Sequence, residues 1–360
     1  MSRGEYPRDM IAVRYIGLRN AARWILGAGI SLALLYLSVR GVDWPTTWQT
    51  LAHADPALLA TALFSVLFTT WLKAVRWRLM FYPHHRRLRV SSFLIVFLIG
   101  QMINAIIPAR LGEVARAFLI GEREGVSKAH ALWTAVVEKV LDAFTLLAFL
   151  AALALWVPLP PWLQQARWTL TGGVAFVIVA LIGAALYRPR FLLWLESYTA
   201  RHRWLRRLRV FTLARAVLDS LRLMRRPALS GGLLLWSILA FLAAACTNWL
   251  TGQALGLDLS GAAALLLLAV LQISAVVPIP TSPGRVGLFH YLCILSLAIF
   301  GVPRDTALSY GLVLHALTYL PMAIGGPLGL WLQSYRWRDI SHWLNKEESL
   351  PPDASLPLGS

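Results

Sequence analysis

Long apolar segments make up most of the chain and are separated by short groups of charged residues. A segment of about 20 apolar residues is long enough to cross the ~30 Å hydrocarbon core of a bilayer as a helix. Six segments meet this criterion, namely residues 21–39, 57–77, 129–157, 166–187, 231–253 and 306–333. The pattern therefore predicts an all-α polytopic membrane protein with six full crossings.

Two further apolar segments, residues 91–120 and 262–300, contain prolines that interrupt a helix. The limb before Pro108 would be only about 24 Å long as a helix. The limb after it carries three charged residues, Arg110, Glu113 and Arg116. We therefore expect 91–120 to be a re-entrant hairpin, buried in protein and lining a wet cavity. Residues 262–300, with Pro278, Pro280 and Pro283, form either a second such hairpin or two short crossings.

Lysine and arginine are concentrated in a few segments, which the positive-inside rule assigns to the cytoplasm. Residues 1–23 carry five, residues 73–89 carry six and residues 188–226 carry eleven. The loops at 40–55, 158–167 and 254–261 carry only two between them. We therefore expect a protein of the cytoplasmic membrane with both termini inside. Its cytoplasmic parts would be the N-terminal segment 1–20, the basic interfacial segment 188–228 and a partly disordered tail, 336–360.

Two short patterns recur along the chain and indicate an internal duplication. Pro108-Ala109-Arg110-Leu111-Gly112 is matched by Pro283-Gly284-Arg285-Val286-Gly287, and Gly125–Leu132 is matched by Gly301–Leu308 in almost the same register. The repeats would be residues 21–157 and 158–335, each with two spans, a re-entrant hairpin and a third span. Three crossings is an odd number, so the second repeat would be inverted and the hairpin tips would meet near the midplane.

Four stretches carry a resemblance to a known family: Lys73–Arg78, Pro108–Glu113 with Arg116, Val137–Asp142 and Pro283–Gly287. Over roughly residues 20–335, the chain resembles the flippase-like transmembrane family associated with lysylphosphatidylglycerol synthases. The resemblance implies a protein that moves a phospholipid or related lipid between leaflets. Members often have Gly where Arg285 stands and Glu where His290 stands. An aminoacyl-transfer domain would need about 200 soluble residues, and only 26 follow Ser334, so we do not expect this chain to attach lysine.

Seven residues are candidates for binding a lipid head group: Arg110, Glu113, Arg116, Glu138, Asp142, Arg285 and His290. An arginine fork can hold a phosphate with two parallel hydrogen bonds. Glu138 and Asp142 lie one turn apart within a span, where each charge is costly, so we expect them to face Arg110 or Arg116. Five residues would shape the hairpin tips: Pro108, Gly112, Pro283, Gly284 and Gly287.

Structural roles for the same residues are the alternative. Arg110 and Glu113 could tether the hairpin as a pair, the acidic residues could order the bundle, and His290 could make a simple polar contact. Lys139 is expected to face away from the acidic pair and to reach toward the interface. Four polar residues in the interrupted segments, Gln101, Asn104, Gln272 and Ser274, are expected to join helices rather than to contact substrate.

The net charge of +17 is explained by topology and anionic lipids, and we expect no nucleic-acid binding. No metal-ligand spacing or catalytic triad is present in the sequence, so no metal, cofactor or catalytic residue is predicted. A lipid translocase for an anionic or zwitterionic phospholipid is the favoured function. The alternatives are a membrane-embedded enzyme acting on a lipid phosphate and an envelope assembly factor. Partner proteins would be a second copy of the chain or a separately encoded lipid-modifying enzyme.

Overall fold

The computed structural model describes residues 26–107, 111–156, 172, 187–201, 227–276 and 282–332, and every regular element in them is a helix. The α-helices are α1 (Leu26–Val39), α2 (Trp44–Ala52), α3 (Pro56–Leu79), α4 (Val90–Ile106), α5 (Gly112–Glu124), α6 (Lys128–Trp156), α7 (Arg188–Arg201), α8 (Pro227–Ala254), α9 (Gly261–Val276), α10 (Leu288–Ala298) and α11 (Arg304–Leu332). Short 3-10 helices occupy His84–Arg87 and Pro283–Arg285.

Three of the described helices are long and apolar enough to cross a membrane: α3, the Leu229–Ala254 part of α8, and α11. Helices α1 and α2 would form a fourth span if their 87° bend is counted within one crossing. The protein is therefore a multi-pass membrane protein. Helix α6 has 29 residues and covers the predicted span 129–157. The predicted span 166–187, apart from its residues 172 and 187, lies outside the described residues, as do the segment 1–20 and the tail 336–360.

The segment 40–55, predicted as a loop between spans, contains a helix, α2. Pro45 stands in the first turn of α2, where its fixed φ favours helix initiation. Thr47 is buried, and its carbonyl oxygen accepts a hydrogen bond from the Ser309 hydroxyl at 3.2 Å. Trp48 is exposed on the other side. Helix α2 is therefore fixed to the first turns of α11.

The chain divides into two compact units. We call the unit made of Leu63–Asn104, Ala109–Thr247 and Leu320–Ser360 the α4–α6 unit. The unit made of Met1–Ala62, Ala105–Pro108 and Asn248–Tyr319 is called the α9–α10 unit.

In the α4–α6 unit, α4 and α5 lie side by side and antiparallel. At one end, Arg123 Nε donates a hydrogen bond to Ser92 Oγ at 2.8 Å, and at the other the Gly112 amide donates to Asn104 Oδ1 at 2.7 Å. A Cβ atom on Gly112 would overlap the carbonyl oxygen of Gly100, so glycine is required for this close approach. The two helices form a hairpin against which α6 packs. Its re-entrant placement in the membrane remains a prediction.

In the α9–α10 unit, α9, α10 and the first half of α11 enclose an apolar core. The core residues are Leu255, Leu259, Ala263, Ala264, Leu267, Phe289, Cys293, Ile294, Leu297, Ala307, Leu308, Tyr310 and Leu314. The turn before α10 has three residues in left-handed backbone conformations, Gly284 (φ 68°), Arg285 (φ 58°) and Gly287 (φ 89°). Gly287 also approaches α1, since a Cβ there would overlap the carbonyl oxygen of Ser31.

Four consecutive helices recur in the same order. Helices α3 to α6 have 24, 17, 13 and 29 residues, and α8 to α11 have 28, 16, 11 and 29. Helices α6 and α11 each begin shortly after a glycine of positive φ, Gly125 (67°) and Gly301 (75°). The sequence match between Gly125–Leu132 and Gly301–Leu308 therefore lies at the start of both helices.

Candidate functional site

Arg116 is buried in the α4–α6 unit, in a position that explains how a charge can lie within apolar helices. Only 4% of the residue is exposed, and its guanidinium lies over the rings of Trp77 and Phe97, 4.2 Å from each centroid. Its Nη2 donates a hydrogen bond to Glu138 Oε2 at 2.8 Å. Cation–π contact and a charged hydrogen bond together replace the lost hydration.

Arg76 is the second buried arginine of this cluster. It was counted as a charge of the cytoplasmic loop 73–89, but its side chain has no exposed surface. Nη1 donates to Asp142 Oδ1 at 2.6 Å and to Ser237 Oγ at 2.9 Å, and Nη2 lies 3.7 Å from Glu138 Oε1. Glu138 and Asp142, one turn apart on α6, therefore face two arginines rather than one.

Glu113 connects the hairpin to α6. Its carboxylate accepts a hydrogen bond from Asn104 Nδ2 at 3.0 Å and forms an ion pair with Lys139 Nζ, also at 3.0 Å. Lys139, predicted to face away from the acidic pair of α6, thus forms its ion pair with a carboxylate of α5. The predicted partner of Glu113, Arg110, lies outside the described residues.

Six charged side chains connected by ion pairs make up this cluster. The cations are Arg76, Arg116 and Lys139, and the carboxylates are Glu113, Glu138 and Asp142. Cations and carboxylates are thus equal in number in the described cluster. Three buried nitrogens, Nε and Nη2 of Arg76 and Nε of Arg116, have no hydrogen-bond partner within the described part of the chain.

The cluster has a sealed part and an open part. The side chains of Arg76, Arg116 and Glu138 are at most 5% exposed. Lys139 is 49% exposed, and Asp142 and Glu113 are 20% and 16% exposed. A ligand approaching from outside would therefore meet Lys139 and its two neighbouring carboxylates first, with the buried charges behind them.

Arg285 and His290 belong to the α9–α10 unit. Arg285 Nη2 donates to Ser274 Oγ at 2.6 Å. His290 Nδ1 lies 3.5 Å from the Gly287 amide, which is the polar contact considered as its structural role. His315, which the sequence did not single out, donates from Nε2 to the carbonyl oxygen of Gly284 at 2.9 Å.

The repeat register would have pointed to His315. In the register that aligns Gly125 with Gly301, Lys139 aligns with His315. In the register of the hairpin tips, which aligns Gly112 with Gly287, Glu113 aligns with Leu288. Lys139 forms an ion pair with Glu113, whereas His315 makes an edge-to-face contact with Phe289, the residue after Leu288, with ring centroids 5.0 Å apart. Among the residues that the structure describes, no group of three His, Cys, Asp or Glu side chains is placed to hold a metal ion.

Comparison with known proteins identifies a relative from Haloferax volcanii named glycosyltransferase AglD, which is 27% identical over 130 residues. The match covers 36% of this chain but only 21% of that protein. No solved structure matches the chain. The family model described as the lysylphosphatidylglycerol synthase TM region matches residues 24–326. The chain therefore belongs to the family of lysylphosphatidylglycerol synthase transmembrane regions.

Proposed function

We propose that the protein is a lipid translocase that carries the phosphate-bearing head group of an anionic or zwitterionic phospholipid past the charged cluster of the α4–α6 unit. The family and the glycosyltransferase-named relative point to a function related to membrane lipids. The observation that carries the proposal is a cluster of six charged side chains between apolar helices, in which three buried arginine nitrogens have no hydrogen-bond partner within the described part of the chain. A charged side chain between apolar helices costs free energy, and such residues commonly line a substrate path through the membrane.

The open part of the cluster supplies the first contact for a head group. Lys139 is half exposed and is held by Glu113, which is also bonded to Asn104. A lipid phosphate can take the place of Glu113 on Lys139 while Asn104 keeps the carboxylate in position. If the head group carries an amine, Asp142 and Glu113 are the acceptors for it.

The sealed part acts through its charge. Arg76 and Arg116 face Glu138 and Asp142, and the charges of the two arginines and Glu138 are weakly screened because these three side chains are buried. The unbonded Nε and Nη2 atoms leave this part short of acceptors. An arriving phosphate is therefore stabilised relative to hydrocarbon without any covalent step.

The enzyme alternative is less well supported by this geometry. A general base must be free to take a proton from a reacting group. Glu113, Glu138 and Asp142 each already face a cation at 2.6–3.0 Å. The arrangement favours binding of an anion over proton abstraction.

The recurrence of α3–α6 as α8–α11 supports a duplication with repeats at 21–157 and 158–335. We propose that the second repeat is inverted, that each repeat contributes a re-entrant hairpin, and that six helices cross the membrane. In this arrangement both termini are cytoplasmic and residues 188–228 lie at the cytoplasmic interface. Arg110 and Arg285 would then approach the head group from the two hairpin tips.

Transport in proteoliposomes tests the proposal. The probe is phosphatidylglycerol labelled on one acyl chain with a fluorophore that a membrane-impermeant reductant quenches in the outer leaflet. Lys139→Gln should slow transfer at least tenfold, the loss equivalent to ~1.4 kcal/mol of head-group binding. Lys128→Gln is the matched control, because its ion pair with Glu122 is exposed and lies outside the cluster.

Mass spectrometry of the recovered lipid separates the two functions. Transfer of unaltered lipid that depends on Lys139 supports translocation. Covalent product, or transfer by Lys139→Gln at the wild-type rate, would overturn it.

A further inference from the structure

The turn before α10 is surrounded by a group of titratable aromatic rings in the α9–α10 unit. The rings of His290 and His315 lie with their centroids 5.0 Å apart, and the Tyr319 ring stacks on His315 at 4.1 Å. His290 is on α10, and the other two are one turn apart on α11. His290 is 4% exposed and shielded from bulk water, whereas His315 is partly exposed.

Hydrogen bonds define the protonation sites of both rings. A carbonyl oxygen can only accept, so Nε2 of His315 must carry a hydrogen to bond the Gly284 oxygen at 2.9 Å. In the neutral ring, Nδ1 of His315 therefore has a lone pair. Nδ1 of His290 accepts from the Gly287 amide, so a proton there would remove that contact. Nδ1 of His315 is the better site for a single added proton.

The groups that face the two imidazoles are basic or aromatic. Arg285, from the 3-10 helix, acts electrostatically on His315 and on Tyr319, and His315 acts on His290. From α1, Ser31 presents its backbone and hydroxyl to the same turn. Among the described residues, no carboxylate contributes to the field at either ring.

We propose that the His290–His315 pair is the proton-binding site that couples lipid movement to a pH gradient, with Nδ1 of His315 taking one proton. This inference rests on the proposed function. A bond forms between the proton and the Nδ1 lone pair, and the ring changes from neutral to singly positive while Nε2 keeps its hydrogen on Gly284. Release returns the proton from Nδ1 to water and restores the neutral ring.

Coupling to the lipid follows from the position of Arg285. A proton on His315 places a second positive charge beside the Arg285 guanidinium and no carboxylate offsets it within the described residues. An anionic phosphate at Arg285 therefore binds more tightly when His315 is protonated. By reciprocity, the phosphate raises the proton affinity of His315 by the same factor. Proton and lipid thus bind and are released together.

The first experiment applies a pH gradient of one unit across proteoliposomes containing the labelled phosphatidylglycerol. With one proton per lipid, the wild-type protein should enrich the label in the leaflet on the alkaline side by up to about tenfold. His315→Gln keeps an amide N–H able to reach the Gly284 oxygen but cannot be protonated. It should allow downhill movement and abolish the enrichment. His53→Gln, an exposed histidine at the end of α2, should behave like wild type.

Proton uptake by purified protein provides a second measurement that does not require transport. Short-chain phosphatidylglycerol is added to weakly buffered protein in a neutral detergent containing a pH-sensitive dye. Wild type should take up protons on binding, and His315→Gln should take up at least fivefold less. Equal uptake by the two proteins, or enrichment by His315→Gln, would overturn the proton site. Downhill transfer by wild type without enrichment would overturn the coupling and leave the translocase function standing.

Discussion

Glu138 is the residue whose removal should most destabilise the protein. It is 3% exposed and lies between two buried arginines, with Arg116 at 2.8 Å and Arg76 at 3.7 Å. Glu138→Gln leaves the volume almost unchanged but leaves a buried cation without its counter-charge. Breaking a buried ion pair from one side costs about 3–5 kcal/mol.

A double substitution distinguishes ion pairing from packing. Arg116→Met with Glu138→Leu removes both charges and leaves Arg76 bound to Asp142 at 2.6 Å. Replacing a buried pair by apolar side chains is often close to neutral. The double variant should therefore be more stable than Glu138→Gln, although the cation–π contacts of Arg116 with Trp77 and Phe97 are lost.

Unfolding in mixed micelles with increasing dodecyl sulfate, followed by tryptophan fluorescence, gives the free energies. Asp142→Asn is the comparison for a partly exposed ion pair. Because Asp142 is 20% exposed, this substitution should lower the free energy of unfolding by only about 1–3 kcal/mol. If Glu138→Gln unfolds within ~0.5 kcal/mol of wild type, the range of an ordinary surface substitution, the buried charge is not balanced by Glu138 and the proposed ion network is wrong.

Three further predictions concern the hairpin and the topology. Arg110→Ala should abolish lipid transfer in proteoliposomes while leaving thermal stability normal. Arg110→Lys should transfer lipid clearly more slowly than wild type because Lys lacks the planar guanidinium fork. Normal transfer by Arg110→Ala would mean that Arg110 has a structural role only. Gly112→Ala should lower stability by at least ~2 kcal/mol in the same micelle assay, because its Cβ would overlap the Gly100 carbonyl oxygen, and wild-type stability would exclude the close α4–α5 approach. A cysteine placed at residue 210 should react with a membrane-impermeant thiol reagent only from the cytoplasmic side. Labelling from outside would contradict the predicted topology.

The sequence predicts the charged residues of α5 and α6 as interacting partners because a charge inside an apolar helix needs a partner there. This physical requirement is enough to place Arg116 near Glu138. It is not enough to find Arg76, because an arginine close to the end of a span has the same sequence pattern as a cytoplasmic flanking charge. The hydrogen bonds of Arg76 with Asp142 and Ser237 show that it lies inside the bundle.

The helical faces of α6 separate Lys139 from the acidic pair, but they do not identify Glu113 as its partner. Glu138 and Lys139 are adjacent and point about 100° apart, so α6 alone places them on different sides. The structure puts α5 where it can contact both directions, with Arg116 on Glu138 and Glu113 on Lys139. Where α5 packs on α6 is set by the tertiary structure, and the periodicity of α6 alone cannot predict it.

Lys139 on α6 and His315 on α11 are matching positions with different chemistry, and this difference bears on how a transporter of this kind could work. Lys139 forms an ion pair with Glu113 of α5, whereas His315 lies against Phe289 of α10. An ion pair keeps its charges across the physiological pH range, whereas an imidazole has its unperturbed pKa near that range. A site with constant charge suits the head group, and a site with variable charge suits a coupling proton. Duplication followed by divergence at this position would therefore give one chain both functions.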